Sequence, residues 1–208
     1  MKKIISMLMV VVMVLSLCSV SVFAADNSFK DVKKTDYYYD AVKWAVDEGI
    51  VKGTSETTFS PNDYCTHEQI MTMVWRANGQ PIIDKDDYDS DCRALEKNYS
   101  KDYFKDALIW LTTKNWVDSL YASTNTASSR LYAVKLLYRV EGIEGHSLSS
   151  IEFMTDLDDV MYDHELEAIA WAIDEGITKG TSYNTFSPNA KCTRAQIVTF
   201  LYRAYANR

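Results

Sequence analysis

The chain has 208 residues, 47% of them hydrophobic, and a formal net charge of −7. This length allows one ordinary domain or several small repeats that share a core, and the apolar fraction is sufficient for a packed interior. The acidic balance argues against a nucleic-acid partner, because phosphate backbones are bound by surfaces rich in lysine and arginine.

The first 24 residues have the pattern of a secretory signal peptide. Lys2 and Lys3 precede an apolar run over residues 4–22, and small side chains before a polar segment predict cleavage after Ala24. Cleavage leaves 20 basic and 29 acidic side chains, a net charge of −9. Since no second apolar stretch of about 20 residues follows, we expect a secreted protein without a membrane span.

Residues 44–70 return as residues 171–197. The two stretches align without a gap, and 19 of their 27 positions are identical. Such internal identity indicates a repeat protein.

The first copy predicts a helix, a structured loop and a second helix. Apolar residues recur at helical spacing from Tyr38, and Gly49 ends this helix. In the loop, Phe59 returns to the core before a Ser-Pro turn. The second helix runs from His67 to about residue 77, after an N-cap at Thr66 that forms a capping box with a glutamine three residues on.

The third unit repeats this plan, with a last helix from Arg194 to Tyr205. The middle unit keeps both helices, one containing residues 106–111 and one containing residues 129–139, but lacks the Gly-Thr-Ser loop. An acidic stretch over residues 84–91 precedes it. This stretch lacks the glycine and the closing glutamate of a calcium loop, so we interpret it as a solvated insertion.

Three cysteines follow the signal peptide: Cys65, Cys92 and Cys192. Cys65 and Cys192 occupy the same place in the two copies, which favours small buried side chains over a disulfide bridge. No zinc spacing is present, so we expect neither a metal nor a cofactor.

Taken together, these motifs resemble the S-layer homology repeat. The features that carry the resemblance are a Phe-x-Asp-Val segment, an Ala-x-x-Trp-Ala helix ending in Gly-Ile, a Gly-Thr loop leading to Phe-Ser-Pro-Asn, and Thr-Arg-Ala-Gln opening the next helix. The resemblance implies an all-α fold of three helix-loop-helix repeats in a pseudo-threefold arrangement around a central helical bundle. We assign a first unit to residues 25–80, a degenerate middle unit to 81–142 and a third unit to 143–208.

The resemblance also implies a function. Proteins of this family bind a secondary cell-wall polysaccharide, often pyruvylated, and so attach to the bacterial cell surface. An arginine fork at a helix N-terminus suits a pyruvyl carboxylate. The positions matching the family's motifs are Arg130, Arg194, Thr193, Gln196, Trp44, Trp171, Gly53, Gly180, Asp31 and Asp159.

Each of these positions also has a structural interpretation. The tryptophans can serve the core, the glycines the turn and the aspartates a cap, while either arginine can be a solvated helix start. In the first unit His67 replaces the arginine, and since histidine is largely neutral at pH 7, we expect that groove to hold an anion poorly.

An enzyme and a protein-binding surface protein are the two alternatives to polysaccharide binding. The three histidines, His67, His146 and His164, have no metal spacing and no nucleophile pattern, so we expect no enzyme and no catalytic residue. A structural or adhesive surface protein whose grooves bind a protein partner is the alternative that the sequence leaves open.

Overall fold

The computed structural model describes residues 29–117 and 126–208, so the predicted signal peptide and part of the middle loop lie outside the described residues. The described residues form seven α-helices and no β-strand, which confirms the all-α prediction. The helices are α1 (Tyr39–Asp47), α2 (His67–Ala77), α3 (Ser90–Asn98), α4 (Lys105–Thr113), α5 (Arg130–Val140), α6 (Asp163–Asp174) and α7 (Arg194–Tyr205).

The capping boxes place the second helix of each matching unit where the sequence predicts it. The Thr66 hydroxyl accepts from the Gln69 amide, and the Gln69 side chain accepts from the Thr66 amide. Thr193 and Gln196 repeat both bonds at the start of α7. Each box satisfies two amides that have no partner within the helix, so the helix start is fixed by local sequence.

Helix α3 was not predicted from the sequence. It follows the acidic stretch, in which Asp84 caps a short 3₁₀ helix (Lys85–Asp87) and Asp89 accepts from the Cys92 amide at 2.8 Å. Cys92 and Leu95, three residues apart, are buried. These two aspartates therefore cap helices within the insertion.

The helices pack mainly between units rather than within them. Helix α1 packs against α7, α2 against α4, and α5 against α6, so the second helix of one unit contacts the first helix of another. Trp44 of α1 meets Tyr202 of α7 edge-on, and Trp171 of α6 meets Tyr138 of α5. Any groove between neighbouring units is thus built by residues from both.

A closed ring of three backbone hydrogen bonds joins the segments that precede α2, α5 and α7. The Cys65 amide donates to Cys192 O at 2.9 Å, the Cys192 amide to Ser128 O at 2.8 Å, and the Ser128 amide to Cys65 O at 2.7 Å. Both cysteines are free and fully buried, which confirms the prediction of small core side chains. Burial raises the pKa of each of these thiols to about 12.

One core cluster includes residues of all three units. Phe59 and Phe186, at the same place in the two loops, are fully buried as predicted. None of the helices in the described part of the chain has the length and apolar character needed to cross a membrane. The pseudo-threefold arrangement stays a prediction.

Candidate functional site

The loops of the first and third units are fixed by an aspartate that precedes each first helix. Asp31 accepts from the amides of Phe59 and Ser60 at 2.9 and 2.8 Å. Ser60, just before a proline, has a φ of 58°, a left-handed conformation that is unfavourable for a residue with a side chain. The two charge-assisted bonds hold the turn in this conformation.

In the third unit this role belongs to Asp156 and not to Asp159. Asp156 accepts from the amides of Phe186 and Ser187 at 3.0 and 2.6 Å, whereas Asp159 is exposed. The expected equivalence of Asp31 and Asp159 is therefore wrong. The third unit has two more residues between the aspartate and the loop than the first, since the bonds span 30 positions in place of 28.

The two loop glycines lie where the backbone leaves no room for a side chain. A Cβ on Gly53 would lie 2.6 Å from Thr58 O, and one on Gly180 would overlap Thr185 O. Gly180 also has a φ of 80°. The turn alone is thus sufficient to require glycine at both positions.

Arg194 begins α7 in the third unit, and its side chain reaches the loop of the first unit. Nε donates to Phe59 O at 2.9 Å and Nη2 donates to Lys52 O at 2.8 Å. The guanidinium carbon lies 4.6 Å from the centre of the Phe59 ring, within cation–π range. Because Arg194 is only 8% exposed, its interpretation as a solvated helix start is wrong.

Arg130 begins α5 and makes the matching contacts with the loop of the third unit. Nε donates to Phe186 O at 3.0 Å and Nη2 to Thr178 Oγ1 at 3.2 Å. The guanidinium carbon lies 5.0 Å from the Phe186 ring centre and 5.4 Å from that of Phe200. Burial lowers the pKa of Arg130 and Arg194, but an arginine remains charged at neutral pH.

The first amides of α5 and α7 are bound to protein acceptors and are not free to bind an anion. The amides of Arg194 and Ala195 donate to Asp63 O and Pro61 O at 2.8 and 3.0 Å, and α5 begins with the same type of contact. The next amide in each helix donates to the side chain of the N-cap. Thr193 is therefore a cap, and the N-terminal amides are bound to protein acceptors.

The tryptophan candidates lie in different surroundings. Trp171 is 3% exposed, so its ring offers no open face to a sugar. Trp44 is half-buried and lines a shallow cleft with Asp40, Asp47 and Glu48. The contacts of both rings with helix tyrosines favour the core interpretation.

His67 begins α2, at the position that Arg130 and Arg194 occupy in α5 and α7. Its ring centre lies 4.1 Å from that of Tyr132 on α5. Burial lowers the pKa of His67, with the Glu68 carboxylate opposing this shift and Lys135 adding to it. That this groove holds an anion poorly stays a prediction.

Several of the candidates meet at one cleft, which we call the loop cleft. Its volume is about 340 Å³, and it is lined by Tyr37 from the first unit, Arg130 from the middle unit and the loop and α7 of the third unit. Its lining residues are Tyr37, Arg130, Thr178, Lys179, Gly180, Thr181, Gln196, Thr199, Phe200 and Arg203. Sequence reasoning missed seven of these residues, and among them Tyr37, Lys179 and Arg203 bring an exposed ring and two charges to the cleft.

A repeated pattern could have revealed two of these. Lys52-Gly53 in the first unit matches Lys179-Gly180 in the third. Arg203 lies at the position of Arg76 in α2, and each donates from Nη1 to the carbonyl of the isoleucine that follows the first helix. Tyr37 gives no comparable signal, because its place in the cleft depends on packing between units.

The loop cleft has the chemistry of an anion site. Three cations line it, namely Arg130, Lys179 and Arg203, and no carboxylate does so among the described residues. Tyr37 is 67% exposed and provides an accessible ring. Residues 29–117 and 126–208 contain no group of three or more His, Cys, Asp or Glu side chains that could hold a metal ion.

Comparison with known proteins agrees with the repeat assignment for two units. The S-layer homology domain matches residues 28–71 and 154–198. The chain is 33% identical over 92 residues to an endoglucanase of Bacillus sp. (strain KSM-635), which covers 41% of this chain and 10% of the endoglucanase.

Two surface proteins match shorter stretches. A surface-layer 125 kDa protein of Lysinibacillus sphaericus is 46% identical over 49 residues, covering 24% of this chain and 4% of that protein. A middle cell wall protein of Brevibacillus brevis is 40% identical over 53 residues, covering 26% and 5%. The chain spans a tenth or less of the length of these three relatives. Residues 28–71 and 154–198 thus carry S-layer homology sequence, as the motifs of the first and third units predict.

Proposed function

We propose that this chain is a non-catalytic module of the bacterial cell surface that attaches to the cell wall by binding a secondary cell-wall polysaccharide. Its predicted signal peptide directs secretion. The S-layer homology regions and the similarity to a surface-layer protein and a cell wall protein support this placement. The binding is non-covalent and needs no cofactor.

The observation that carries the proposal is the charge of the loop cleft. Arg130, Lys179 and Arg203 converge there on a chain whose net charge is −7. A local concentration of positive charge is what an acidic protein needs to hold an anionic polymer, because its overall field repels such a ligand. A pyruvyl carboxylate on the polysaccharide suits this cleft, and the exposed ring of Tyr37 suits a sugar face.

The arrangement of the units supports more than one groove. The first-unit loop has three cations that match those of the loop cleft. They are Lys52, Arg76 and Arg194, which correspond to Lys179, Arg203 and Arg130. The ring of backbone bonds among Cys65, Ser128 and Cys192 supports the predicted pseudo-threefold arrangement that would place such grooves around one centre. We therefore propose a polysaccharide contact at the first-unit loop as well.

Sedimentation with purified cell walls tests the proposal. The protein should pellet with untreated walls and stay in solution after chemical removal of pyruvate ketals. Equal binding to both wall preparations would eliminate the carboxylate as the recognised group. Failure to bind either would favour the alternative, a surface protein whose grooves hold a protein partner.

Variants separate the grooves. Arg194→Ala should weaken wall binding by about tenfold or more, the equivalent of roughly 1.4 kcal/mol, because it removes a permanent charge beside the first-unit loop. His67→Ala should have a smaller effect, since the imidazole is largely neutral at pH 7. Thermal unfolding of both variants controls for the buried contacts of Arg194, and the reverse order of binding would assign the ligand to another groove.

Lys179→Gln and Lys52→Gln form a matched pair with little risk to folding, because both side chains are exposed and follow the first helix in loops of similar sequence. Loss of binding in Lys179→Gln alone identifies the loop cleft as the working site. Loss in both assigns the ligand to two grooves, and no loss in either contradicts the proposed anion contact.

A further inference from the structure

A second cleft lies between α5 and α6, away from the loop cleft. It has a volume of about 360 Å³, within the range of roughly 300–1,000 Å³ typical of small-molecule sites. Its charged residues are Lys114 and Arg139 on one hand and Glu144 and Glu167 on the other. We call it the α5–α6 cleft; its function does not depend on the polysaccharide proposal.

This cleft differs from two other clefts in that its charged side chains do not form ion pairs with one another. In the cleft beside Trp171, Arg208 pairs with Glu141, and in the cleft beside Trp44, Lys43 pairs with Asp47. Within the described part of the chain, no ion pair joins Lys114 or Arg139 to Glu144 or Glu167. Charges of both signs thus line one cavity without neutralising each other.

Two of these charged groups are held in place by neighbouring contacts. Arg139 donates from Nη1 to Trp116 O at 2.8 Å, and its Nη2 lies 3.3 Å from His164 Nε2. This second contact is favourable when the imidazole is neutral and its Nε2 accepts. The guanidinium is therefore fixed at one end of the cleft without a carboxylate partner among the described residues.

Glu167 is fixed at a second point of the same interface. Its Oε2 accepts from the Tyr138 hydroxyl at 2.9 Å and from the Gly145 amide at 3.1 Å. Burial raises the pKa of Tyr138, and the hydrogen bond to Glu167 and the charge of Glu144 raise it further. Both effects fit a carboxylate-rich end of the cleft.

The contacts that fix the two ends of the cleft both involve residues of α6. His164, which contacts Arg139, and Glu167 lie three residues apart on α6, about 4.5 Å along the helix axis. Residues three apart share one face of a helix, so the two contacts lie side by side within reach of one small ligand. The half-buried Trp116 and Ile143 add apolar surface to the cavity lining.

We propose that the α5–α6 cleft binds a zwitterionic ligand of the amino acid or short peptide class. The ligand carboxylate contacts Arg139 and Lys114, and the ligand ammonium contacts Glu144 and Glu167. A ligand with both charges completes charge-assisted hydrogen bonds at each end, whereas an ion of one sign meets attraction at one end and repulsion at the other.

Isothermal titration calorimetry with the dipeptide alanyl-alanine tests this site on the whole chain. N-acetyl-alanyl-alanine lacks the ammonium and alanyl-alaninamide lacks the carboxylate, so each should bind at least about tenfold more weakly than alanyl-alanine. Equal binding of all three peptides would overturn the zwitterion assignment. Absence of binding up to roughly 10 mM would overturn the site itself, because a ligand with two ionic contacts is expected to bind at about 1 mM or better.

Two variants locate the binding without disturbing the contacts that fix Arg139. Glu144→Gln and Lys114→Gln should each weaken alanyl-alanine by about tenfold, while Glu175→Gln, in another cleft, should leave its affinity unchanged. Nuclear magnetic resonance of the imidazole nitrogens should show a shift at His164 on titration and none at His67. A shift at neither ring, or equal loss in Glu175→Gln, would contradict the placement.

Discussion

The loops of the first and third units make the same contacts, whereas the middle unit makes different ones. In the first unit the Thr54 hydroxyl lies 2.7 Å from that of Ser60, and in the third the same distance separates Thr181 and Ser187. Both loops are also contacted by a buried arginine from a different unit. The identical residues therefore specify identical contacts, including those to a neighbouring unit.

In the middle unit the corresponding contacts are of another kind. His67 packs on Tyr132 where an arginine would donate to a loop. Lys135 on α5 stands at the position of the cleft-lining Thr199, and it pairs with Glu165 of α6 at 2.6 Å. An ion pair between α5 and α6 thus takes the place of the neutral Thr199 of the third unit, so the same helical arrangement carries different polar contacts in the two units.

The arginines give the largest expected effect. Arg130→Met and Arg194→Met should each lower the free energy of unfolding by about 2–3 kcal/mol, because each removes two hydrogen bonds to a neighbouring loop and leaves a buried carbonyl without a donor. His67→Ala should lower it by about 1 kcal/mol or less, since the partly buried imidazole packs edge-on against Tyr132. Urea unfolding followed by circular dichroism measures all three.

Arg93→Met, at an exposed position, is the matched control and should change stability by less than about 0.5 kcal/mol. Equal effects of Arg93→Met and Arg130→Met on the free energy of unfolding would mean that the buried arginine contacts between units do not stabilise the fold.

The aspartates give a smaller effect that tests the corrected alignment. Asp156→Ala should lower the free energy of unfolding by about 1–2 kcal/mol, because it removes two hydrogen bonds from the Ser187 turn. Asp31→Ala should do the same in the first unit. Asp159→Ala, at an exposed residue, should be nearly neutral. A larger loss in Asp159→Ala than in Asp156→Ala would restore the equivalence that the sequence suggested.

Local signals predicted the helices well. The starts of α2 and α7 coincide with the capping boxes, because their hydrogen bonds join residues only three positions apart. Helix α3 was missed because its apolar face is limited to Cys92 and Leu95, too short a pattern to stand out within an acidic stretch.

The site was predicted less completely, for a different physical reason. Arg194 contacts a carbonyl 135 positions away, and Tyr37 lines a cleft built by the other two units. An arginine side chain at a helix start can extend toward solvent or into a neighbouring loop, and only the packing between units decides this. The sequence therefore identified Arg130, Gly180 and Gln196 of the loop cleft but not its remaining cations.

The smallest expected effect concerns the pH dependence that His67 introduces. Its folded pKa lies below the ordinary value of 6.5, mainly because of burial, so the unfolded chain binds the proton more readily. Stability should therefore fall as the pH drops through 6.5, and level off below the folded pKa. The loss attributable to His67 should be smaller than the losses expected for the arginine and aspartate variants, because the imidazole is only partly buried.

His67→Gln, which carries no charge at any pH, should remove this contribution. Urea unfolding at a series of pH values from about 7.5 to about 5 measures it as the difference between the two proteins, so contributions common to both cancel. Because the two arginines cannot lose their charge in this range, the same difference measured for Arg194→Gln should stay constant. A His67→Gln curve parallel to the wild-type curve would mean that the imidazole is equally protonated in the folded and unfolded chains. Burial against Tyr132 would then not distinguish this groove from the other two.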